Sequence, residues 1–328
     1  MKTLFLTNVY PIPERPWEGA TVKLQAEGLR KAGVQVDVLH LDRTESGQSI
    51  YLTAYPKIKK AFLGGRHDLL HVQFGGVQAL LGALVAGPRC VITFHGTDLH
   101  GGLPKTMWES ASYKIGVICS KLAIAIAGAS IAVSKNLLEG LPKRLRKKMK
   151  ILPTGVDYEH FSPMDKTKAR ILKRLKTNCV YILFSDNNKD PVKRRDLAEK
   201  AVSLLKKDIP NARLMVLSHV PFDEIPLFIN AADALLVTSD KEGSPNIVKE
   251  ALACNLPIVS VAVGDVPDMI AGVKNCRIVP REPRIIKKAL GEIIYANARS
   301  DGREKKRTII DNKKICERII DLYNEVLA

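Results

Sequence analysis

The chain has 328 residues, 46% of them hydrophobic and 26% charged, a composition that fits a soluble globular protein with two cores better than one with a single core. Lys and Arg number 51 against 34 Asp and Glu, a formal charge of +17, which favours anionic partners such as nucleotides or anionic lipid. Aromatic residues are only 5%, too few to interleave with the basic clusters as base-stacking platforms, so nucleic acid is excluded as the expected partner. The six scattered cysteines include no C-x-x-C and read as reduced, buried thiols rather than a disulfide framework or a zinc site.

The segment "TLFLTN" near the start is expected to be a strand and not a signal peptide, because its apolar run is short. "TVKLQAEGLRKAG" has helical periodicity and closes on Gly33, a suitable helix end. "VQVDVLHL", "DLLHVQ", "CVITFHG", "SIAVS" and "KILPTG" follow as short buried strands with helical runs between them. The long apolar stretch 115–134 is broken by Lys121, so a helix followed by a strand is expected there in preference to a membrane span. The second half repeats the alternation. "CVYILFS", "ARLMVL", "ALLVTS", "PIVSVA" and "CRIVP" are strands, separated by helices such as "RRDLAEKAVSLLKK", "FDEIPLFINAA" and "PNIVKEALAC". Short apolar strands alternating with helices imply parallel βαβ units buried on both faces. The fold class is therefore α/β, with two Rossmann-like domains and a Pro-, Gly- and Asp-rich linker near 152–169. The expected boundaries are 1–158, 159–310 and a C-terminal helix 311–328 that packs back on the first domain.

In such sheets ligands bind beyond the carboxyl ends of the strands, so chemistry is sought directly after each one. After "ALLVTS" comes "DKEGSPN". Pro245 fits the first helical position, where a missing N–H is harmless. The free N–H groups of the helix that follows favour a phosphate or other anion. Glu242 lies just outside that helix and Glu250 a turn and a half inside, roughly 7–8 Å apart along the axis. Two carboxylates so placed cannot act on one bond as a tight pair, but can grip two hydroxyl-bearing parts of one ligand. The bland alternative makes Glu242 a helix-end charge and Glu250 part of a solvated face.

The segment "EGSPNIVKEALACNLPIV" resembles the signature of retaining glycosyltransferases of family 4, which have the GT-B fold of two Rossmann-like domains facing a central cleft. "ILPTGVDYEHFSP" is similar to that family's linker motif, "SIAVSKNLLEGL" to the strand and helix before it, and "VGDVPDMI" to its G-G-x-x-E glycine loop. The resemblance runs over essentially the whole chain. It implies that Glu250 binds the ribose hydroxyls of a nucleotide-sugar. Glu242 would bind the transferred sugar, helped by the amides of Gly243, Ser244, Asn246 and Ile247 around Pro245. After "CVYILFS" the family places an Arg and then a Lys on the diphosphate. Lys193 matches the Lys. Asn188 or Lys189 stands where the Arg is usual, with Arg194 or Arg195 able to compensate. His95, at the end of "CVITFH", would face the donor sugar, with Asp98 as its neighbour. Gly19 keeps one glycine of the family's Gly-Gly turn. His95, Lys193 and Glu242 are thus the expected catalytic residues. The resemblance also implies front-face transfer, with the leaving phosphate taking the acceptor proton. No D-x-D stands at a strand end, and Lys and the helix end supply the charge, so no metal or other cofactor is expected.

The expected partners are a UDP- or GDP-sugar donor and a carbohydrate or lipid-linked acceptor in cell-envelope polysaccharide or glycolipid synthesis. A nucleotide-sugar epimerase and a non-catalytic partner subunit are the alternatives on the same fold. The basic run Lys143, Arg144, Arg146, Lys147, Lys148 and Lys150, together with Lys57, Lys59 and Lys60 beside Phe62 and Leu63, points to an anionic membrane surface and a cytoplasmic, peripheral location.

Overall fold

The computed structural model describes residues 1–102, 106–187 and 189–328, apart from the side chains of Glu45, Ser46, Gln48 and Thr97. The chain divides into two compact units, Met1–Gly155 with Asn312–Ala328, and Val156–Asp311.

The first unit begins β1 (Lys2–Thr7), α1 (Ala20–Lys31), β2 (Gln35–His40), α2 (Arg43–Ser46), α3 (Ile50–Gly64), β3 (Leu69–Gln73), α4 (Val77–Ala86) and β4 (Cys90–Phe94). It continues with α5 (Thr97–His100), α6 (Met107–Ile126), β5 (Ala129–Ala132), α7 (Lys143–Arg146) and β6 (Met149–Ile151). The six strands form one parallel sheet in the order β2-β1-β3-β4-β5-β6. Stretch 115–134 is the second half of α6 followed by β5, and among the described residues no helix is long and apolar enough to cross a membrane.

The second unit runs α8 (Lys166–Leu172), β7 (Val180–Ser185), α9 (Arg195–Leu205), β8 (Ala212–Leu217), α10 (Ile225–Ala231), β9 (Ala234–Val237) and α11 (Asn246–Ala253). Then come β10 (Ile258–Ser260), α12 (Val266–Ile270), β11 (Cys276–Ile278), α13 (Pro283–Ala296) and α14 (Gly302–Ile310). Its five parallel strands are ordered β11-β10-β9-β7-β8. Leu183, Leu235 and Ile258 face one core, while Ile182, Phe184, Leu236 and Val259 face the other. That alternation explains why these strands read as unbroken apolar runs. None of the six cysteines forms a disulfide, and all but the half-buried Cys119 are buried.

The last helix, α15 (Asn312–Leu327), belongs to the first unit. Its Ile315, Cys316, Ile319, Leu322 and Tyr323 are buried with Phe5, Leu69, Val91 and Ile131 on one face of the six-stranded sheet. It lies close to α1 at Gly28, where a Cβ would stand 2.5 Å from Asn312 Nδ2 and 2.6 Å from Cys316 Sγ. The unit's fold thus depends on residues more than 150 positions from the rest of it. Ile319→Ala should lower unfolding stability of this unit by about 2–5 kcal/mol, as for other buried Ile-to-Ala changes. Urea titration followed by a probe in each unit checks this, and an unchanged first-unit midpoint would remove α15 from the core.

Candidate active site

In the five-stranded sheet the chain passes from β7 to β8 on one side and then to β9 on the other. The loops after β7 and β9 therefore flank the point where the strand order reverses, the position at which such sheets hold ligands. After β7, Asp190 caps a single 3-10 turn, Pro191–Lys193, through its side chain. Thr238, just past β9, donates its hydroxyl to the carbonyls of Lys193 and Arg194 at 2.8 and 3.0 Å, and the Asp240 amide donates to Val192 O at 2.8 Å. The two loops are thereby laced together. Across them Lys193 Nζ meets Glu242 Oε1 at 2.6 Å, and Ser239 Oγ donates to the same oxygen at 2.8 Å.

The turn Glu242–Gly243–Ser244 leads into α11. Pro245 is extended (φ −67°, ψ 122°) and forms the N-cap, so the helix begins at Asn246, one residue later than expected. The reason is that the proline's ψ is not yet helical, although its φ is. Ile247 follows in the first turn. The glycine loop closes over this turn. Gly264 has φ 54°, and a Cβ there would lie 2.7 Å from Gly243 O and 2.9 Å from Glu242 O. The Asp265 amide donates to Gly243 O at 3.2 Å. Both the left-handed backbone and the close approach require glycine at 264.

Glu250 is 7% exposed, which overturns the solvated-face alternative. Burial pushes its carboxyl up to about 7, against the pull of neighbouring Lys249. Lys249 has no exposed surface, and burial brings its ammonium down to about 8 while Asp265 and Glu250 hold it up. Burial also raises Asp265, with Lys249 opposing. Three ionisable groups thus sit buried beside the turn and compensate one another.

The expected cations are distributed unevenly. Asn188 lies outside the described residues. Lys189 is exposed, in a left-handed conformation (φ 50°). Arg194 pairs with Asp196 at 2.9 Å and Asp240 at 3.4 Å, and Arg195 pairs with Glu199 at 2.8 Å, so each is engaged by a carboxylate. Arg281 escaped notice in the sequence. It follows β11 and donates to Thr238 O at 2.9 Å while meeting Asp240 at 3.0 Å, which brings a guanidinium to the end of β9. Its position just past a strand was the signal that could have found it.

In the first unit His95 directly follows β4 and lies tilted against Phe74 with ring centroids 4.3 Å apart. Its Nε2 lies 3.2 Å from Gln73 Oε1, whose amide nitrogen donates to Gln25 Oε1 at 2.6 Å. Gln73 therefore presents an acceptor to His95 Nε2 and holds the ring from behind. Behind Gln73, fully buried His71 contacts Thr93 Oγ1 at 2.7 Å and the Tyr323 hydroxyl of α15 at 2.5 Å. Burial depresses His71 to about 3, so it is neutral at physiological pH. Asp98 accepts the amides of Gly75 and His95 on Oδ2 at 3.0 and 2.9 Å, and of Gly96 on Oδ1 at 2.8 Å. It clamps the loops after β3 and β4 together. Gly19, the N-cap of α1, has φ 65°, and a Cβ would strike Val9 O at 2.5 Å. Packing against the strand-end backbone accounts for a glycine there.

Residues 19–160 match the family described as Glycosyltransferase Family 4, and residues 165–295 match Glycosyl transferases group 1. The chain belongs to this glycosyltransferase family and has the GT-B fold. It is an EC 2.4 transferase that uses a nucleotide-sugar, and family membership implies retention at the transferred carbon. The enzyme is 24% identical to TuaC of Bacillus subtilis (strain 168), a glycosyltransferase named for teichuronic acid biosynthesis, over 88% of each chain. Among solved structures it resembles sucrose-phosphate synthase from Thermosynechococcus elongatus, with a TM-score of 0.77, 16% identity and 99% of each chain covered. It also resembles Anabaena Alr3699/HepE in complex with UDP, with a TM-score of 0.70 and 14% identity over 99% of this chain and 100% of that one.

The raised carboxyl of Glu250 makes a signed prediction about the enzyme. A carboxylate whose folded pKa exceeds its unfolded value adds stability at low pH that is lost as pH rises towards the folded value. Glu250→Gln should therefore match the wild type near pH 4.5 and become more stable than it as pH rises through about 7. Melting temperatures across that range check this. A constant difference between the two proteins would show that Glu250 does not titrate in that window.

Proposed function

We propose that the enzyme transfers a sugar from a UDP- or GDP-sugar to a carbohydrate or lipid-linked acceptor in cell-envelope polysaccharide or glycolipid synthesis. The Lys193–Glu242 pair at the strand reversal carries the reading of the site. Lys193 and the N-terminus of α11 would take the leaving diphosphate, with Lys189 a second cation for it. Developing charge there is the main electrostatic task of the reaction. Glu242 would hold the sugar hydroxyls, with the Gly243, Ser244, Asn246 and Ile247 segment supplying the turn and amides around Pro245. Glu250 would grip the ribose. In the first unit His95, held by Gln73, would face the sugar, while Asp98 and Gly19 shape the loops around it. The relation to TuaC favours an envelope polymer.

Lys193→Ala should lower kcat/KM by at least about a hundred-fold, the scale of losing one electrostatic stabiliser. Lys189→Ala should cost less. Nucleotide-sugar turnover by the two variants checks the assignment, and the reverse ranking would move the phosphate role to Lys189.

We also infer that the enzyme works on an anionic, cytoplasmic membrane face. All six basic residues of 143–150 are exposed, as are Lys57, Lys59 and Lys60 on α3. Phe62 is buried in the core and takes no part, whereas Leu63 is 51% exposed. Trp108, Ile115, Ile118 and Leu122 add an exposed apolar stripe at helical spacing along α6. Each basic residue beside an anionic leaflet contributes about 1 kcal/mol. Liposomes containing anionic lipid should sediment the enzyme at low salt and release it at high salt. Binding that needs no anionic lipid, or none at low salt, would sink this assignment.

A further inference from the structure

A line of polar side chains runs from His95 into the core of the first unit. Gln73 closes β3 and is 1% exposed, and His71, on the same face of that strand, has no exposed surface. Gln73 Nε2 lies 3.3 Å from His71 Nε2. Thr93 Oγ1 of β4 meets the same nitrogen at 2.7 Å, and the Tyr323 hydroxyl of α15 meets Nδ1 at 2.5 Å. The imidazole stands edge-on to the rings of Phe5 and Tyr323, with centroids 4.9 and 5.6 Å away. Contacts thus pass without a break from Tyr323 through His71 and Gln73 to His95. Gln25, His71, Gln73, Thr93 and Tyr323 are all buried, whereas His95 is only half-buried. Stability alone is a weak reason for such a network, because apolar groups of the same shape can replace buried hydrogen-bonded partners at little cost. What a satisfied network does supply is one fixed arrangement. The backbone next to it carries strain as well. Phe74 has φ 71°, a left-handed conformation that is costly for a bulky residue and is found where surrounding contacts impose it. Its amide donates to Thr93 O at 2.9 Å, and the Gln78 side-chain amide donates to Gln73 O. The Phe74 ring is the one that lies 4.3 Å from the His95 ring.

We propose that Tyr323 is a positioning residue for sugar transfer: through His71 and Gln73 it fixes where the His95 ring stands. The helix that completes the core of the first unit then also sets a side chain at the strand ends. Tyr323 lies outside both stretches that match the family, 19–160 and 165–295. Its effect on His95 is a property of how this chain folds back on itself. The inference rests on the reading of His95 as a residue that faces the sugar, but the position of the ring can be measured without turnover.

The test removes one hydroxyl at a time on either side of His71, with Tyr323→Phe and Thr93→Val, in the full-length enzyme carrying ¹⁵N in its histidine rings. Two variants are used so that a folding defect in one leaves the other to decide. Each should shift the His95 ring resonances, which are identified by their loss in His95→Ala. Each should also lower kcat for nucleotide-sugar turnover by about five-fold or more, since small displacements of a group at the reacting centre are costly in rate. Affinity for UDP and GDP in calorimetry should stay unchanged, because the residues that would hold the nucleotide belong to the second unit. A purely structural role would lower the melting temperature and leave both the His95 resonances and the kcat of the folded enzyme as they were, and that result would overturn the proposal. Variants that keep full turnover while His95→Ala loses it would overturn it too. Full turnover in His95→Ala would instead overturn the reading of His95 on which the inference rests.

Discussion

A parallel sheet must be covered by helices on both faces, and at one point the covering helices part to opposite sides. That parting is where sheets of this kind hold their ligands. In the second unit it falls between β7 and β9, and the chain places there the two loops that Thr238 laces together and that Lys193 and Glu242 bridge at 2.6 Å. In the first unit it falls between β1 and β3, where Asp98 ties the loop after β3 to the loop after β4. Each loop cluster is thus built from short strand-end segments anchored by backbone hydrogen bonds, which keeps their side chains on rigid supports.

The glycine loop shows how one local departure is balanced elsewhere. In "VGDVPDMI" an aspartate, Asp265, stands where the family's motif has its second glycine. It is 9% exposed, and a carboxylate so buried needs a nearby cation. Lys249, fully buried in α11, lies within electrostatic reach of both Asp265 and Glu250. Removing Lys249 would leave buried carboxyls uncompensated, which typically costs about 3–5 kcal/mol. Lys249 therefore answers Asp265 and conditions Glu250, and through it α11 and the glycine loop share one electrostatic unit.

What the sequence revealed follows from the range of the forces involved. The strands of both sheets were legible because strands buried on two faces must be continuous apolar runs. The turn before α11 was legible because Gly243, Pro245 and the two glutamates lie within nine residues. The start of that helix was off by one, since proline fixes φ but not ψ. Contacts of long range were invisible. His71 meets Tyr323 across 252 positions, and nothing local in "DLLHVQ" announces that pairing. Arg281 reaches Thr238 across 43. Arg194 and Arg195 looked available for a diphosphate because they follow Lys193 directly, yet Asp196, Asp240 and Glu199 hold them.

Those pairings bear on how a basic protein recognises an anionic donor. Lys193, Arg194, Arg195 and Arg281 each face a carboxylate, so these four cations are locally balanced despite a chain charge of +17. On the proposed reading a diphosphate does not fall into a positive well. It competes with Glu242 for Lys193, and Glu242 is then released towards the sugar hydroxyls it would bind. A free diphosphate that brings no sugar leaves that carboxylate without a new partner, whereas a nucleotide-sugar satisfies both ends of the broken pair. Exchange of partners makes the net gain depend on the whole ligand, which favours discrimination over raw affinity. The surplus positive charge lies instead on exposed surfaces such as 143–150, where it acts at long range without loosening that selection.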